Sequence, residues 1–233
     1  MRRFVAVALF LIPVWGFGQR KQGSPLDALP KNIEILTHFG ERADVSPDNQ
    51  RVAFMSKSFG DAFVIDLKTR VIRCLTCNVP GAAFLRVMHL VSGDYLLIGP
   101  ERFTDIRTSR GRDNELWFLS RKPGSRPVRL GQKVSEGAAV SKTTMQIVYA
   151  ETSGQDPKIT SGSSRMTIAE LDLAGPKLTN KKVIYWSPDN SCTLEPQDLY
   201  GGDMHLTFSC YEPNDRASVM SIDLYTNEVV NES

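Results

Sequence analysis

Apolar and polar residues alternate in short bursts along this chain, and no window sustains an apolar stripe of helical spacing. Between residues 43 and 76 the run ADVSPDNQRVAFMSKSFGDAFVIDLKTRVIRCLT divides into a polar turn and three apolar stretches. Arg51 to Met55, Ala62 to Leu67 and Val71 to Leu75 each read as a strand, short, rich in β-branched and aromatic residues and bounded by turn formers. The turn Ser46-Pro47-Asp48-Asn49 suits its place. Pro sets φ at the second turn position, Asp bonds back to the backbone, and Asn tolerates positive φ. The segment before the turn supplies one more strand.

The same order recurs. Ser92-Gly93-Asp94 precedes Tyr95 to Ile98 and then Glu115 to Leu119. Ser141 to Thr144 precedes Met145 to Tyr149 and then Met166 to Leu173. Gly201-Gly202-Asp203 precedes His205 to Phe208 and then Val219 to Leu224. An apolar-Asp-Leu echo marks Asp66, Asp172 and Asp223, and lapses at Leu119-Ser120. Ser187-Pro188-Asp189-Asn190 repeats the first turn's letters, but the polar SCTLEPQ follows it. It reads as the link from an outer strand, Lys182 to Trp186, into the next inner strand. Repeated units of about four short strands favour blades over a sandwich. The fold class expected is all-β: a β-propeller of about four four-stranded blades, or a partial arc of a larger propeller. Ile33 to Thr37 reads as an outer strand with no inner strands before it, and the last unit ends in Glu228 to Asn231. Pairing that first strand into the last blade would close the ring and remove an exposed edge.

The unit at 43–76, with its Ser-Pro-Asp turn, Val-Ala-Phe, Val-Ile-Asp and final Leu-Thr, resembles the repeat of TolB-like (WD40-like) propellers. In the other three units the match is one of rhythm. The resemblance implies a propeller fold and an exported scaffold that binds proteins. It carries over no catalytic residue. Similar repeats stand beside serine peptidases and in sugar-acid lyases, so the fold leaves the chemistry open.

The start of the sequence agrees with export. Met1-Arg2-Arg3 is cationic, Phe4 to Phe17 is apolar, and Gly16 and Gly18 supply the small residues of a cleavage site after Gly18. The run is shorter than the ~20 residues a spanning helix needs, and Pro13 interrupts it. Residues 1–18 are therefore expected to be a signal peptide, 19–31 a flexible linker and 32–233 the propeller repeats. The mature protein is expected to be secreted or periplasmic, with no stable membrane span. A net charge of +2 gives no steering toward nucleic acid.

Export permits disulfides. With a hairpin tip at Tyr200 to Gly202, Cys192 and Cys210 lie equally far from the tip and should face each other as a disulfide. Cys74 and Cys77 fall at a strand end rather than a helix start. That favours a small structural disulfide over redox or zinc chemistry. His38, His89 and His205 sit in different units without ligand spacing, so no metal and no cofactor is expected. No Gly-x-Ser-x-Gly elbow is present, and TSGSS at 160–164 reads as a polar loop. Asp66, Asp172 and Asp223 read as turn caps rather than paired catalytic carboxylates.

Two long loops remain, 99–114 and 150–164, which equivalent positions in adjacent blades place on one face. The first carries Arg102, Phe103, Arg107, Arg110 and Arg112, and Arg forks suit carboxylates and phosphates. The functional expectation is a non-catalytic propeller binding a protein or glycan partner through this face. The alternatives are a metal-assisted lyase or hydrolase, and a fragment of a larger propeller protein.

Overall fold

The computed structural model describes residues 23–187, 191–214 and 216–233, so the expected signal peptide lies outside the described residues, as do Pro188 to Asn190. The protein divides into two units, one ending at Leu36 and one running from Thr37 to Ser233. In the first, Pro25–Ala28 forms a single 3-10 turn. Ser24 Oγ accepts from Leu26 N, and Ser24 N donates to Asp27 at 2.7 Å. The expected linker thus holds one capped turn.

The second unit is a four-bladed β-propeller. Its first sheet holds β1 (Glu41–Val45), β2 (Arg51–Met55), β3 (Ala62–Asp66) and β4 (Ile72–Cys74). The second holds β5 (Arg86–His89), β6 (Tyr95–Pro100), β7 (Asn114–Leu119) and β8 (Val128–Lys133). The third holds β9 (Ala138–Val140), β10 (Gln146–Thr152), β11 (Ser164–Asp172) and β12 (Lys177–Trp186). The fourth holds β13 (Thr193–Tyr200), β14 (His205–Tyr211), β15 (Ala217–Asp223) and β16 (Val229–Asn231). Within each sheet the strands pair antiparallel in sequence order.

One expectation about closure is overturned. Ile33 to Thr37 forms no strand, and the fourth place in the last blade belongs to β16. The local solution needs only the short Asp223 turn, whereas pairing with the start of the sequence would close a very long loop.

Side chains at the turns explain where the strands stop. The Ser46 hydroxyl accepts from the backbone N–H groups of Gln50 and Arg51, and Asn49 takes φ 55°. Asp66 accepts from Lys68 N and Thr69 N, Asp172 from Ala174 N, and Asp223 from Tyr225 N and Thr226 N. These aspartates are turn caps, and the N–H donors hold Asp66 and Asp223 below the usual carboxylate pKa. Where the echo lapses, Asp94 from the neighbouring turn takes over and accepts from Arg121 N.

Among the described residues, three apolar seams join successive blades. Met55, Phe84, Val87 and Leu97 pack between the first and second. Leu90, Ile98, Leu116, Val140 and Tyr149 pack between the second and third, and Val148, Met166, Leu206 and Phe208 between the third and fourth. β6 is buried at every position because its blade has an apolar neighbour on each side, which is why Tyr95 to Ile98 shows no alternation. β14 does alternate. Leu206 and Phe208 are buried, while Thr207 and Ser209 on the other face are only partly covered.

Both disulfides form as expected, Cys74–Cys77 and Cys192–Cys210. The hairpin register differs from the expected one. Leu194, not Cys192, stands opposite Cys210, and the ladder shifts between Pro196 and Asp198. A slip of two residues keeps the same side-chain face, so Cys192 still reaches its partner.

Candidate functional site

Antiparallel order places the loops between second and third strands on the same face as the links entering each inner strand. On this face residues 99–114 are more ordered than a loop. Asp105 accepts from Thr108 N at 2.8 Å and caps a helical turn, Ile106–Thr108, that runs into a π-helical turn, Ser109–Asp113. The second loop is held by its own network. Arg165 grips Glu151 at 3.0 Å and Asp156 at 2.7 Å, and Gln155 Oε1 accepts from the Thr152 backbone and hydroxyl.

The two loops touch. Gln155 Nε2 donates to the Arg110 carbonyl at 3.3 Å. A Cβ on Gly154 would stand 1.9 Å from the Gly111 carbonyl oxygen, so only glycine permits this approach.

Beneath them lies a cavity of about 840 Å³, with Arg107, Arg110, Ser135, Glu136, Glu195 and Tyr211 among its walls. Its floor is ionic. Arg86 on β5 pairs with Glu195 on β13, joining the second blade to the fourth, and Arg86 Nε donates to the Glu136 carbonyl at 2.8 Å. Gly137 makes room for this pair, since a Cβ there would meet Glu195 Cγ at 2.2 Å. Burial lowers the Arg86 pKa although Glu195 opposes the shift. Burial also raises the Tyr211 pKa, and the nearby Glu195 charge adds to that.

Several buried polar atoms here have no hydrogen-bond partner in the protein. They are Ser135 Oγ and Arg110 Nε in the cavity wall, and Ser109 Oγ and both amide atoms of Asn114 beside it. Arg110 Nε lies 3.6 Å from Glu136 Oε1, close enough for an ion pair and too far for a hydrogen bond. Unsatisfied buried groups gathered in one place are uncommon in folded proteins.

Of the five residues singled out from the sequence, Arg107 and Arg110 line the cavity. Arg112 turns onto Asp113 at 2.8 and 3.1 Å, and exposed Phe103 packs on Phe59 at 5.0 Å. Arg102 is exposed on the same loop and is not in the wall. Ser135, Glu136, Glu195 and Tyr211 had no sequence signal, because they come from links and strands of other blades. The hint available was position: Ser135 and Glu136 lie in the link into β9, and Glu195 lies near the start of β13, on the face the two loops share.

The opposite end of the inner strands holds a second charged group. Asp44 Oδ2 accepts from His89 N at 2.7 Å and from the His89 ring Nδ1 at 3.0 Å, while Lys142 Nζ reaches Asp44 Oδ1 at 3.1 Å. Three blades meet in this clasp. The His89 ring is 1% exposed and its Nε2 is unpartnered. His205 lies elsewhere, stacked on Tyr200 and 3.8 Å from Asp223. Among the described residues the one trio with metal-ligand spacing is Asp61, Cys74 and Cys77, whose two sulfurs are already joined to each other.

This architecture defines the class of the second unit, a β-propeller. No family model and no curated protein matches this sequence. Among solved structures it is similar to TolB from Acinetobacter baumannii, at 16% identity and a TM-score of 0.58, over 85% of this chain and 45% of that one. It is also similar to hydrazine synthase from Kuenenia stuttgartiensis, at 10% identity and a TM-score of 0.52, over 82% of this chain and 53% of that one. An auxiliary nutrient binding protein from Bacteroides thetaiotaomicron matches at 9% identity and a TM-score of 0.52, over 82% of this chain and 40% of that one. The sequence spans about half the length of these structures, or less. The likeness at such identities is one of fold, and the fold is the one the TolB-like repeat implied.

Proposed function

We propose that this protein is an exported, non-catalytic propeller that captures a protein or glycan partner on the face bearing the two interlocked loops. The observation that carries this reading is the cavity under those loops, with Arg107 and Arg110 in its wall and unsatisfied polar atoms around it. A concave site of this size, built on rigid strands and framed by loops, is the usual form of a binding site. Two disulfides suit an oxidising compartment, which agrees with the signal-like start of the sequence. No helix of the described residues is long and apolar enough to cross a membrane. Replacing Arg107 and Arg110 together with Ala should weaken partner binding at least about tenfold, roughly 1.4 kcal/mol. Unchanged affinity, measured by surface plasmon resonance on a folded double variant, would remove this face from the account.

A second reading rests on one further observation. Among the described residues, every buried apolar residue of the fourth blade belongs to its seam with the third, and its other face presents Thr207, Ser209 and a half-exposed Val219. On this reading the four-bladed propeller is a piece of a larger propeller protein, with that polar face meeting a further part of it. Sedimentation velocity separates the two: a monomer at all concentrations supports the self-contained propeller, and a stable larger assembly supports the second reading.

A further inference from the structure

The binding reading leaves open what enters the cavity, and the hydrogen-bond inventory of its walls narrows the answer. The acceptors are engaged except for the Glu136 carboxylate, which faces Arg110 Nε at 3.6 Å as an ion-pair partner. The Glu195 carboxylate holds Arg86, and the Glu136 carbonyl accepts from the same guanidinium. Gln155 is engaged too, with its amide oxygen on Thr152 and its amide nitrogen on the Arg110 carbonyl.

The donors are different. Ser135 is 7% exposed and its hydroxyl has no partner in the protein. Arg110 Nε is buried without a hydrogen bond, its one charge partner among the described residues being Glu136 at 3.6 Å. Arg107 makes no close ion pair among the described residues, its charge neighbour being the exposed Asp105. A buried donor left unmade costs about 1–3 kcal/mol, so a site with this surplus favours an occupant that brings acceptors. Two guanidinium groups beside one hydroxyl match a flat, two-oxygen anion. The rest of the wall is apolar and accessible. Ile106 is 55% exposed at the rim, and Tyr211 is 45% exposed. An occupant with an apolar side chain next to its anion satisfies both parts, whereas a sugar acid carries hydroxyls around its carboxylate and has no aliphatic side chain to set against Ile106.

We propose that this cavity seats a peptide carboxylate, bound by Arg107, Arg110 and Ser135, with an apolar side chain of the same segment against Ile106 and Tyr211. The proposal rests on the binding role argued above and specifies its ligand. The carboxylate comes from a polypeptide C-terminus or from an acidic side chain, and the chemistry of the site is the same for both.

The test uses the full-length protein labelled at arginine with ¹⁵N, followed by NMR of the arginine Nε–H signals. The probes are N-acetyl-Ala-Ala-Leu as free acid and as its amide, N-acetyl-Ala-Leu-Glu amide and its Gln counterpart, and trigalacturonate. A saturable shift of the Arg110 signal by the free acid, with binding at least about tenfold weaker for its amide, supports the proposal and a C-terminal source; the same behaviour with the Glu peptide supports it with a side-chain source. Arg110→Lys should abolish the preference for acid over amide while keeping the fold. Equal binding of the carboxylate and its neutral amide in both peptide pairs, no shift with any peptide, or a shift with trigalacturonate alone would overturn it. Failure here with partner capture still lost in the Arg107→Ala, Arg110→Ala variant would sink the carboxylate assignment and leave the binding face standing.

Discussion

Asp44 shows what single residues do in this propeller. Burial pushes its pKa up, but the ring and backbone N–H of His89 and the ammonium of Lys142 outweigh that and hold it below the ordinary carboxylate value. A carboxylate depressed on folding contributes stability that is fully present above its unfolded pKa, about 3.9. That contribution disappears as pH falls through the lower, folded value. Asp44→Asn should therefore cost about 3 kcal/mol at neutral pH, since it leaves Lys142 without its carboxylate in a partly buried place. It should also flatten the fall of stability below pH 4. Urea unfolding at several pH values checks this, and parallel pH profiles for both proteins would contradict it. None of this clasp was legible in the sequence. Asp44, His89 and Lys142 lie on or just beyond the inner strands of three blades, and pairing across blades leaves no local spacing to read. The turn aspartates were legible because each bonds within three residues of itself.

Among the elements, the loops diverge most from the sequence reading. Residues 99–114 read as loop and contain helical turns. Asp105 at the cap was the available signal, and the Arg and Gly content around it hid it. The contact between Gly111 and Gly154 could not be read, since two glycines in two loops say nothing about meeting. Gly154→Ala puts a methyl group against a backbone oxygen, and the loops must part. A loss of about 1–3 kcal/mol is expected, with weakened partner binding. Differential scanning calorimetry beside a binding assay tests it, and a variant of unchanged midpoint and affinity would show that the contact is dispensable. The hairpin of the last blade gives a similar lesson in reverse. Its register was misplaced because the turn spans residues 201–204, past the expected tip; the ladder shift between Pro196 and Asp198 brings the error at the cysteines back to two residues, and the pleat preserved the disulfide. Cys192→Ser with Cys210→Ser should cost about 3 kcal/mol, from the loop that the bond closes. Equal denaturation midpoints with and without the bond would contradict that.

At the scale of the whole molecule, the repeat was the readable part. Four rounds of turn, strand and strand were enough for a propeller because each blade is built from consecutive residues. Closure was misread because Ile33 to Thr37 has strand composition, whereas Val229–Asn231, with only three residues, supplies the outer strand. The site was half readable: its loop arginines were in view, while its floor and back wall are assembled from residues distant in sequence. Both ends of the inner strands are tied by ion pairs between blades, Arg86 with Glu195 at one end and Asp44 with Lys142 at the other. The cavity under the loops is therefore a recess whose floor is tied between the second and fourth blades. The most direct measurement is photo-crosslinking in the producing cell, with a benzophenone amino acid at Ile106 in the cavity rim or at Thr226 in a turn of the opposite face. The account predicts a discrete partner adduct from position 106, lost when Arg107 and Arg110 are replaced by Ala, and none from position 226. Adducts from 226 alone would place the binding surface on the other face and contradict it.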